Sequence, residues 1–419
     1  MHNETTQLIL IFKEKKLDLI KISLLLNAFE IAKRISFQKQ KNYTRFIVRL
    51  SIAATAISVA AILITLSIVN GFQHTISDKV YDFWGQIRIA SVNGAPLEVN
   101  KQMEQGLHSI AAVERVTPFL NQSTVLSFQQ DIEGVVARGF AANSATPFII
   151  QGRGLQNKTD SISNEVVLSD HLATTLNISL GATVRLYFLN VADVQQRKLK
   201  VVGLYHSGIE DYDKQFILVD IKLLQQLGNH PNQIEGYSIQ LKKGANIESV
   251  NDEVQRLMPA NWVATTIKDY YPQIFDWIGV QTVNRNVTIT IMLLIAIVNL
   301  LTCLFILMLE RIPMIGTLSA LGASQNLIRR IFLFQASFIC WMGIGIGSIL
   351  GIGLCLLQLK FGWIQMDETA YFIKTLPIEF NGAQICAVIL GTAIISYISF
   401  LIPTLWIKKI APAKAIKFD

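Results

Sequence analysis

The hydrophobic pattern of the chain is set by four long runs that contain no Asp, Glu, Lys or Arg. They cover Leu50–Val69, Asn286–Leu309, Ile331–Leu359 and Phe380–Ile407. Each run has roughly 20 residues or more, which at about 1.5 Å per residue crosses a hydrocarbon core of about 30 Å. The pattern predicts an α-helical membrane protein with four transmembrane helices, over residues 47–70, 286–309, 331–359 and 380–407.

Between the first two runs, residues 71–280 alternate between strand-like and helix-like patterns. EVVLSDHLATTLNISLGATVRLYF contains a strand, a helix capped by Ser169 or Asp170, a glycine turn and a second strand. Val184–Phe188 and Leu199–Leu204 are predicted to pair as a hairpin around a loop at 189–198. The pattern indicates an α+β domain, and its length favours two subdomains because it exceeds a typical single core.

The charges are concentrated at the ends of the apolar runs. Only 16% of the residues are charged, and the net charge is +7. Lys and Arg are dense in 13–49, recur at Arg311, Arg329 and Arg330, and return in 408–419. By the positive-inside rule, these segments and both termini are predicted to be cytoplasmic, with the 71–280 domain and a short 360–379 loop outside. The charge therefore indicates membrane topology and not a nucleic-acid partner.

The residues before the first run carry two further predictions. Residues 28–46 interleave aromatic and aliphatic side chains with Lys and Arg, which is typical of a helix on the cytoplasmic membrane surface. Residues 1–27 lack the basic start and unbroken apolar core of a signal peptide and are treated as an N-terminal extension without assigned function.

The motifs of common catalytic sites are missing from the sequence. There is no G-x-x-x-x-G-K-[ST], no G-x-S-x-G and no H-E-x-x-H. HSGIEDYD places His206 close to Glu210, Asp211 and Asp213, a mixture that suits metal or acid–base chemistry, but we interpret it as a polar turn after a strand. We predict no catalytic residue, no metal site and no cofactor bound by this chain, so a partner must supply energy for any work it does.

Residues 310–330, ERIPMIGTLSALGASQNLIRR, are the most informative segment between two runs. Pro313 suits the first turn of a short helix, and Gly322 suits the left-handed residue that ends it. Ile315, Leu318 and Leu321 are predicted to form its apolar face. The pattern fits either an ordinary cytoplasmic loop or a helix that receives a push from a partner.

Two features inside the runs predict contacts between helices. Gly343, Gly347 and Gly351 recur every four residues and are predicted to form a groove against which another helix packs. Asn299 is strongly polar in a deep position, which fits an interhelical hydrogen bond or a place in a substrate-facing wall.

Five motifs give the chain a family resemblance. ERIPMIGTLSALGAS is similar to the coupling segment of the FtsX/MacB-like ABC permeases, and IAPAKAIK is similar to their closing motif. LITLSIVNGFQ, YYPQIFDWIGVQTVNRN and AYFIKTLPIEFN are more specific to the LolC/LolE group of lipoprotein-releasing permeases. The chain therefore resembles the LolC/LolE group from about Ala28 to its end. It departs from the family pattern at Met314, where the family has Glu, and in the 189–198 loop, which has neither the Pro of LolC-type members nor a Gly.

The resemblance implies a bacterial inner-membrane permease subunit with a MacB-like periplasmic domain, and it implies several partners. These are a cytosolic LolD-like ATPase that carries ATP and Mg, a second permease chain (identical or paralogous), outer-membrane-bound lipoproteins as substrate, and a LolA-like periplasmic chaperone. The segment 310–330 becomes the coupling helix, with ATPase contacts at Glu310, Arg311, Ile315, Gly316, Leu318, Ala320, Leu321 and Gly322. The implied substrate cavity is lined by Ile62, Leu66, Val69, Phe72, Val287, Ile291, Leu294 and Asn299. The implied chaperone contact is Val191, Asp193 and Val194.

Two alternatives stay open on the sequence. One is an FtsX/MacB-like permease used for export or for signalling in cell division. The other, of a different class, is a membrane-anchored periplasmic binding or sensor module that needs no ATPase.

Overall fold

The computed structural model describes residues 42–140, 148–156, 162–189, 194–228 and 232–406. They fall into two compact units. We call the first the helical unit, which contains 42–71, 281–363 and 378–406, and the second the sheet unit, which contains Phe72–Val280 and Ile364–Pro377. The predicted segments 1–27 and 408–419, and all but the last residues of 28–46, lie outside the described residues.

The helices and strands of the described residues follow one another along the chain in this order: α1 (Asn42–Trp84), β1 (Ile87–Ser91), β2 (Leu97–Glu98), α2 (Lys101–His108), β3 (Val113–Phe128), β4 (Asp131–Phe140), β5 (Ile149–Gly152), β6 (Glu165–Ser169), α3 (Asp170–Thr175), β7 (Thr183–Leu189), β8 (Val194–Tyr205), α4 (Glu210–Gln215), β9 (Phe216–Asp220), α5 (Ile221–Leu227), β10 (Gln233–Ile234), β11 (Gly236–Leu241), α6 (Ile247–Leu257), β12 (Trp262–Thr266), α7 (Ile267–Tyr270), α8 (Pro272–Glu310), α9 (Ile312–Ala320), α10 (Gln325–Phe361), α11 (Glu368–Tyr371) and α12 (Gly382–Trp406).

Four helices are long and apolar enough to cross a membrane: Arg45–Trp84, Pro272–Glu310, Gln325–Phe361 and Gly382–Ile402. Each contains most or all of one predicted run, which supports the predicted membrane class. Two of them are much longer than their runs. Helix α1 continues past residue 70 because Ile76 and Val80 keep the helical spacing and are fully buried. Helix α8 starts at Pro272, and proline suits the first turn of a helix. The charged residues before its apolar run end that run but do not interrupt the helix.

The helical unit has one main apolar core, built from α1, α8, α9, α10 and α12. Its buried members include Leu63, Leu304, Phe332, Ile339 and Phe400. The predicted glycine groove is confirmed. A Cβ added to Gly343 would lie 2.8 Å from the Thr55 side chain, and one added to Gly347 would lie 2.5 Å from the Ala56 carbonyl oxygen. Helices α1 and α10 therefore pack closely along this groove.

The sheet unit is organised around a ten-stranded sheet in the order β12-β1-β11-β3-β4-β9-β6-β8-β5, with β7 paired to β3 and β8. Most pairs are antiparallel, while β4 with β9 and β6 with β8 are parallel. Helices α3 and α5 bury apolar side chains in one core cluster, and α2 and α6 in another. This arrangement is consistent with the predicted α+β class, and one continuous sheet is shared by the two clusters.

The structure corrects two details of the predicted domain. The hairpin arms of β7 and β8 pair from Thr183↔Lys200 to Leu189↔Val194, so the predicted 189–198 loop is mostly strand. The polar run Gln195–Lys198 misled the prediction, because the outward side of a hairpin accepts polar residues. The predicted 360–379 loop is also more than a loop: we call residues 364–377 the connector, and they fold as part of the sheet unit.

Candidate functional site

The predicted coupling segment forms a short helix between α8 and α10. Arg311 precedes α9 and Pro313 lies in its first turn. Gly322 takes the left-handed conformation, at φ +86°, that the sequence predicted for the end of the helix. Ser324 then caps α10, its hydroxyl accepting a hydrogen bond from the Leu327 amide at 3.3 Å. The segment is therefore held between two defined turns.

The two faces of α9 differ in exposure. Ile315 and Gly316 are buried, and Met314 and Leu318 pack partly against the core of the helical unit. The opposite face is exposed and carries no charge; its residues are Pro313, Thr317, Ala320 and Leu321. We call this set the outer face of α9. Glu310 and Arg311 are half-buried at its start.

The prediction that Leu321 shares an apolar face with Ile315 and Leu318 is therefore wrong. Leu321 is 80% exposed, whereas Ile315 is 2% exposed. Each three-residue step on a helix falls about 60° short of a full turn, so Leu321 lies about 120° round from Ile315. Met314 points into the unit, where it contacts the cluster that contains Ile331. The departure from the family pattern thus lies on the packed side of α9.

The residues of the predicted substrate cavity differ in how far they are buried. Ile62 and Leu66 are buried, Val69 is half-buried, and Phe72 is buried in the sheet unit, where its ring lies 5.3 Å from that of Trp277. Val287, Ile291 and Leu294 are each at least half exposed along one side of α8. The predicted cavity lies between two permease chains, so its lining stays a prediction.

Asn299 makes the interhelical hydrogen bond that was one of its two predicted roles. Its Nδ2 donates to the carbonyl oxygen of Ser51 on α1 at 3.1 Å. A second polar contact joins the same helices further along: Arg285 donates from Nη1 to Asn70 Oδ1 at 3.2 Å. Asn70 in turn donates to Gln384 Oε1 on α12 at 2.6 Å. Three helices are thus tied by polar side chains at the end of their apolar runs.

The predicted chaperone contact lies at the tip of the β7–β8 hairpin. Val191 and Asp193 fall outside the described residues, and Val194 begins β8 opposite Leu189. The structure therefore describes only the strand ends Leu189 and Val194, and the chaperone contact stays a prediction.

A site that the sequence did not predict lies where α1 ends on the sheet. Arg138 on β4 is 1% exposed, and its guanidinium carbon lies 4.0 Å from the Trp84 ring centroid and 5.3 Å from that of Phe83. Its Nη2 donates to the Phe83 carbonyl at 3.3 Å, at the C-terminal end of α1. Gly85 follows at φ +80°, and Ser238 donates to the Trp84 carbonyl. We call Arg138 with these partners the α1 joint.

The α1 joint combines a helix cap with an aromatic cage. A cation at a helix C-terminus interacts favourably with the helix dipole, and aromatic faces attract a desolvated cation. Phe119 and Phe140 complete the cage, at 5.3 and 5.2 Å from the guanidinium carbon. Burial lowers the pKa of Arg138 to about 10, so the group stays charged at neutral pH. No sequence motif marks it, because Phe83 lies 55 residues before the arginine in the chain and Trp84 follows Phe83.

Comparison with known proteins identifies the family. The MacB-like periplasmic core domain matches residues 50–257, and the FtsX-like permease C-terminal region matches residues 286–412. The lipoprotein-releasing system transmembrane protein LolC of Neisseria meningitidis is 22% identical over 406 residues, which cover 91% of this chain and 96% of that protein. LolE of Haemophilus influenzae is 22% identical over 419 residues, covering 93% and 98%.

Among solved structures, the periplasmic region of MacB from Actinobacillus actinomycetemcomitans covers 46% of this chain and 92% of that chain at 14% identity. Its TM-score of 0.35 is too low to establish a common fold. The two family matches and the full-length relatives confirm the resemblance seen in the motifs. With the four apolar helices, they fit a multi-pass inner-membrane protein with a periplasmic domain. The chain belongs to the FtsX/MacB-like ABC permeases, in the LolC/LolE group.

Proposed function

We propose that this chain is the permease subunit of an ABC transporter that extracts lipoproteins from the outer leaflet of the inner membrane and passes them to a periplasmic chaperone. The relatives named LolC and LolE belong to a lipoprotein-releasing system, and this chain matches them over nearly their whole length. Extraction of an acyl chain costs about 0.8 kcal/mol per CH₂, so the work needs an energy source. A separate LolD-like ATPase with bound ATP and Mg supplies it.

The observation that carries the proposal is the outer face of α9. The face is exposed, uncharged and held between two membrane helices, while the opposite face packs into the core of the helical unit. A partner docked on Leu321 and Thr317 would transmit its movement directly to that core through Ile315. Glu310 and Arg311 lie beside the face and offer polar contacts to the same partner.

The substrate route is proposed on the exposed side of α8. Val287, Ile291 and Leu294 follow one another at helical spacing, and each is at least half exposed. A second permease chain, identical or paralogous, would enclose a cavity against this side, and acyl chains would enter it from the lipid. Ile62 and Leu66 are buried on α1, and Asn299 links α8 to α1 through its hydrogen bond to the Ser51 carbonyl oxygen.

Movement is proposed to reach the periplasmic domain along α1. Helix α1 contributes residues to both units, and the α1 joint fixes its end to β4 through Arg138. The β7–β8 hairpin, with Val191, Asp193 and Val194, is then the proposed contact with a LolA-like chaperone. The termini and α9 are proposed to be cytoplasmic.

The test substitutes Leu321→Asp in the full permease, reconstituted in lipid with its ATPase and assayed for stimulated ATP hydrolysis. Burying a leucine side chain contributes about 1.5–3 kcal/mol, so the substitution should weaken docking by roughly tenfold to a hundredfold. Since Leu321 is 80% exposed, the thermal stability of the permease should not change. Leu257→Asp, at a leucine 47% exposed in the sheet unit, is the matched control and should leave stimulation intact.

Unchanged stimulation in Leu321→Asp would refute the docking role. Depletion of the chain in cells provides the test of cargo: mature lipoproteins should accumulate in the inner membrane. Failure to accumulate them, with docking intact, would favour the export or cell-division alternative. Failure of any ATPase to co-purify with the permease would favour the sensor module instead.

A further inference from the structure

The connector between α10 and α12 is docked onto the sheet unit by one polar and one apolar contact region. Ile373 is buried with Phe72, Ile76 and Ile278. The carbonyl oxygen of Phe372 accepts a hydrogen bond from Lys79 Nζ on α1 at 2.7 Å. Backbone bonds from Met366 to Lys374 and from Leu376 to Ile364 close the connector on itself. It is a folded element with a defined seat.

The polar region is centred on His206, which follows β8. The Nδ1 atom of His206 lies 2.9 Å from Asp170 Oδ2 on α3, and its Nε2 atom lies 2.6 Å from Glu368 Oε1 on the connector. The two carboxylates belong to segments almost 200 residues apart, and this single side chain joins them. The segment HSGIEDYD, predicted as a polar turn, therefore also makes a tertiary contact with Glu368 of the connector through His206.

Both ring nitrogens of His206 face carboxylate oxygens. An ionised carboxylate only accepts hydrogen bonds, so each nitrogen must donate, and a histidine with two donors is the charged imidazolium. A neutral ring would leave one nitrogen lone pair pointing at a carboxylate oxygen. With both carboxylates ionised, the geometry is that of the protonated histidine.

Other charged or titratable groups face the cluster from α1, α4 and the connector, and His171 and Glu210 line the cavity beside it. Asp213 of α4 lies 3.7 Å from His206 Nδ1, and its oxygens accept the amides of Ser207 and Gly208 at 3.0 and 3.2 Å. Lys374 lies 3.2 Å from Glu368, and Lys79 lies over Gly208. The cluster borders an open cavity of 380 Å³, which gives solvent protons access to it.

We propose that His206 is a positioning residue that clamps the connector of the third and fourth membrane helices onto the sheet unit through Glu368, and that the clamp releases as the pH rises. The inference concerns a contact within one chain and holds whatever the permease carries. Its physical consequence is that residues 364–377 are held against His206 and its neighbours under acidic conditions and are freer of them under alkaline ones.

The direction of the pH effect follows from the two partners. Burial alone would lower the pKa of His206, but hydrogen bonds to Glu368 and Asp170 outweigh it and raise the pKa above its ordinary 6.5. A base with a raised pKa contributes its full stabilisation below its ordinary value and loses it as the pH rises through the raised value.

For Glu368, burial would raise the pKa, but the hydrogen bond and charge of His206, with those of Lys374, lower it below 4.5. Its contribution is present above 4.5 and is lost only as the pH falls through the lowered value. The clamp is therefore strongest between the lowered pKa of Glu368 and the raised pKa of His206.

Hydrogen–deuterium exchange of the full-length chain in lipid nanodiscs tests the clamp. The measured quantity is the protection of peptides covering 364–377 between pH 5.5 and 8.5, corrected for intrinsic exchange. Peptides covering β11 provide the reference for folding, since this strand contains none of the clamp residues. Protection of the connector should fall about tenfold across this range for each unit by which docking raises the pKa of His206.

Three variants separate the clamp from a merely structural role. His206→Gln should show the low connector protection at every pH, and His206→Lys, a permanent cation here, should keep high protection to alkaline pH. Glu368→Gln should move the midpoint to lower pH, because it removes the carboxylate from Nε2. If His206→Gln also loses protection in β11, that variant is misfolded. The clamp is then tested by the pH profiles of the wild type and of Glu368→Gln.

A wild-type profile that is flat after correction would overturn the proposal. So would a His206→Gln profile equal to the wild type, or a His206→Lys profile that still titrates. The failure is distinguishable from failure of the proposed function, since no ATPase, chaperone or lipoprotein is present in the measurement.

Discussion

The glycine groove of α10 offers a prediction with its own controls on the same helix. Gly347 faces α1, and a methyl group added there would lie 2.5 Å from the Ala56 carbonyl oxygen and 2.9 Å from Val59 Cβ. Real Cβ contacts essentially never fall under 3.0 Å, so in Gly347→Ala the two helices must separate by about 0.5 Å. Gly345 and Gly353 have open space at the same position and provide matched controls.

The cost follows from the close packing of the groove. A radial gap of about 0.5 Å forfeits roughly a quarter of the dispersion attraction between the atoms that move apart. Overpacking a well-packed site typically costs about 1–3 kcal/mol. We expect a loss of this size in Gly347→Ala and a larger one in Gly347→Val. In Gly345→Ala and Gly353→Ala the only change is a better helix former, which cannot lower stability.

The assay is thermal unfolding of the purified permease in one detergent, followed by tryptophan fluorescence, with the four variants measured beside the wild type. Gly347→Ala should unfold at a lower temperature than wild type, while the two controls unfold at the same or a higher one. Equal midpoints for Gly347→Ala and Gly345→Ala would show that α10 does not use this groove against α1, and the packing argument would fail.

Two further predictions concern single buried side chains. Arg138→Ala empties the aromatic cage and leaves the Phe83 carbonyl without its donor. We therefore expect the free energy of unfolding of the sheet unit, measured by heat or denaturant, to fall by about 2–5 kcal/mol. An unchanged free energy of unfolding would show that the α1 joint does not stabilise the fold. Asn299→Leu removes one interhelical hydrogen bond, which contributes about 0.6 kcal/mol on average in membrane proteins. Release of lipoproteins in a reconstituted assay should therefore persist in this variant. Abolished release at unchanged stability would instead place Asn299 in the substrate-facing wall.

The membrane helices were predictable from the sequence because their signal is local. A run without charge is visible in the sequence itself, and each of the four runs lies mostly or wholly on a long helix. Their ends were less predictable, since α8 continues through the polar stretch Pro272–Arg285. There the helix packs against the sheet unit's own residues, as Phe275 does on Tyr81 at 5.8 Å, and composition alone cannot show that.

The tertiary polar contacts were not predictable because their members are distant in the chain. His206 and Glu368 lie in different segments, and Arg138 meets Phe83 only through the sheet. A histidine, an arginine or a glutamate has many possible roles in an isolated motif. Its partner decides among them, and the partner is supplied by the fold. For the same reason the short helix α9 was predicted from its sequence, but the exposed side of that helix was not.

The composition of α9 gives the strongest physical reason to expect a partner on its outer face. IPMIGTLSA contains no charged residue, and a helix that is apolar or neutral all round is normally buried on every side. Among the described residues only the side of Ile315 and its neighbours is covered, and Leu321 is 80% exposed at the end of the helix. In the proposed topology the adjoining Arg329 and Arg330 lie at the aqueous boundary, where lipid does not supply the missing cover. A second protein surface can, and an apolar contact there would transmit force without the desolvation cost of an ion pair.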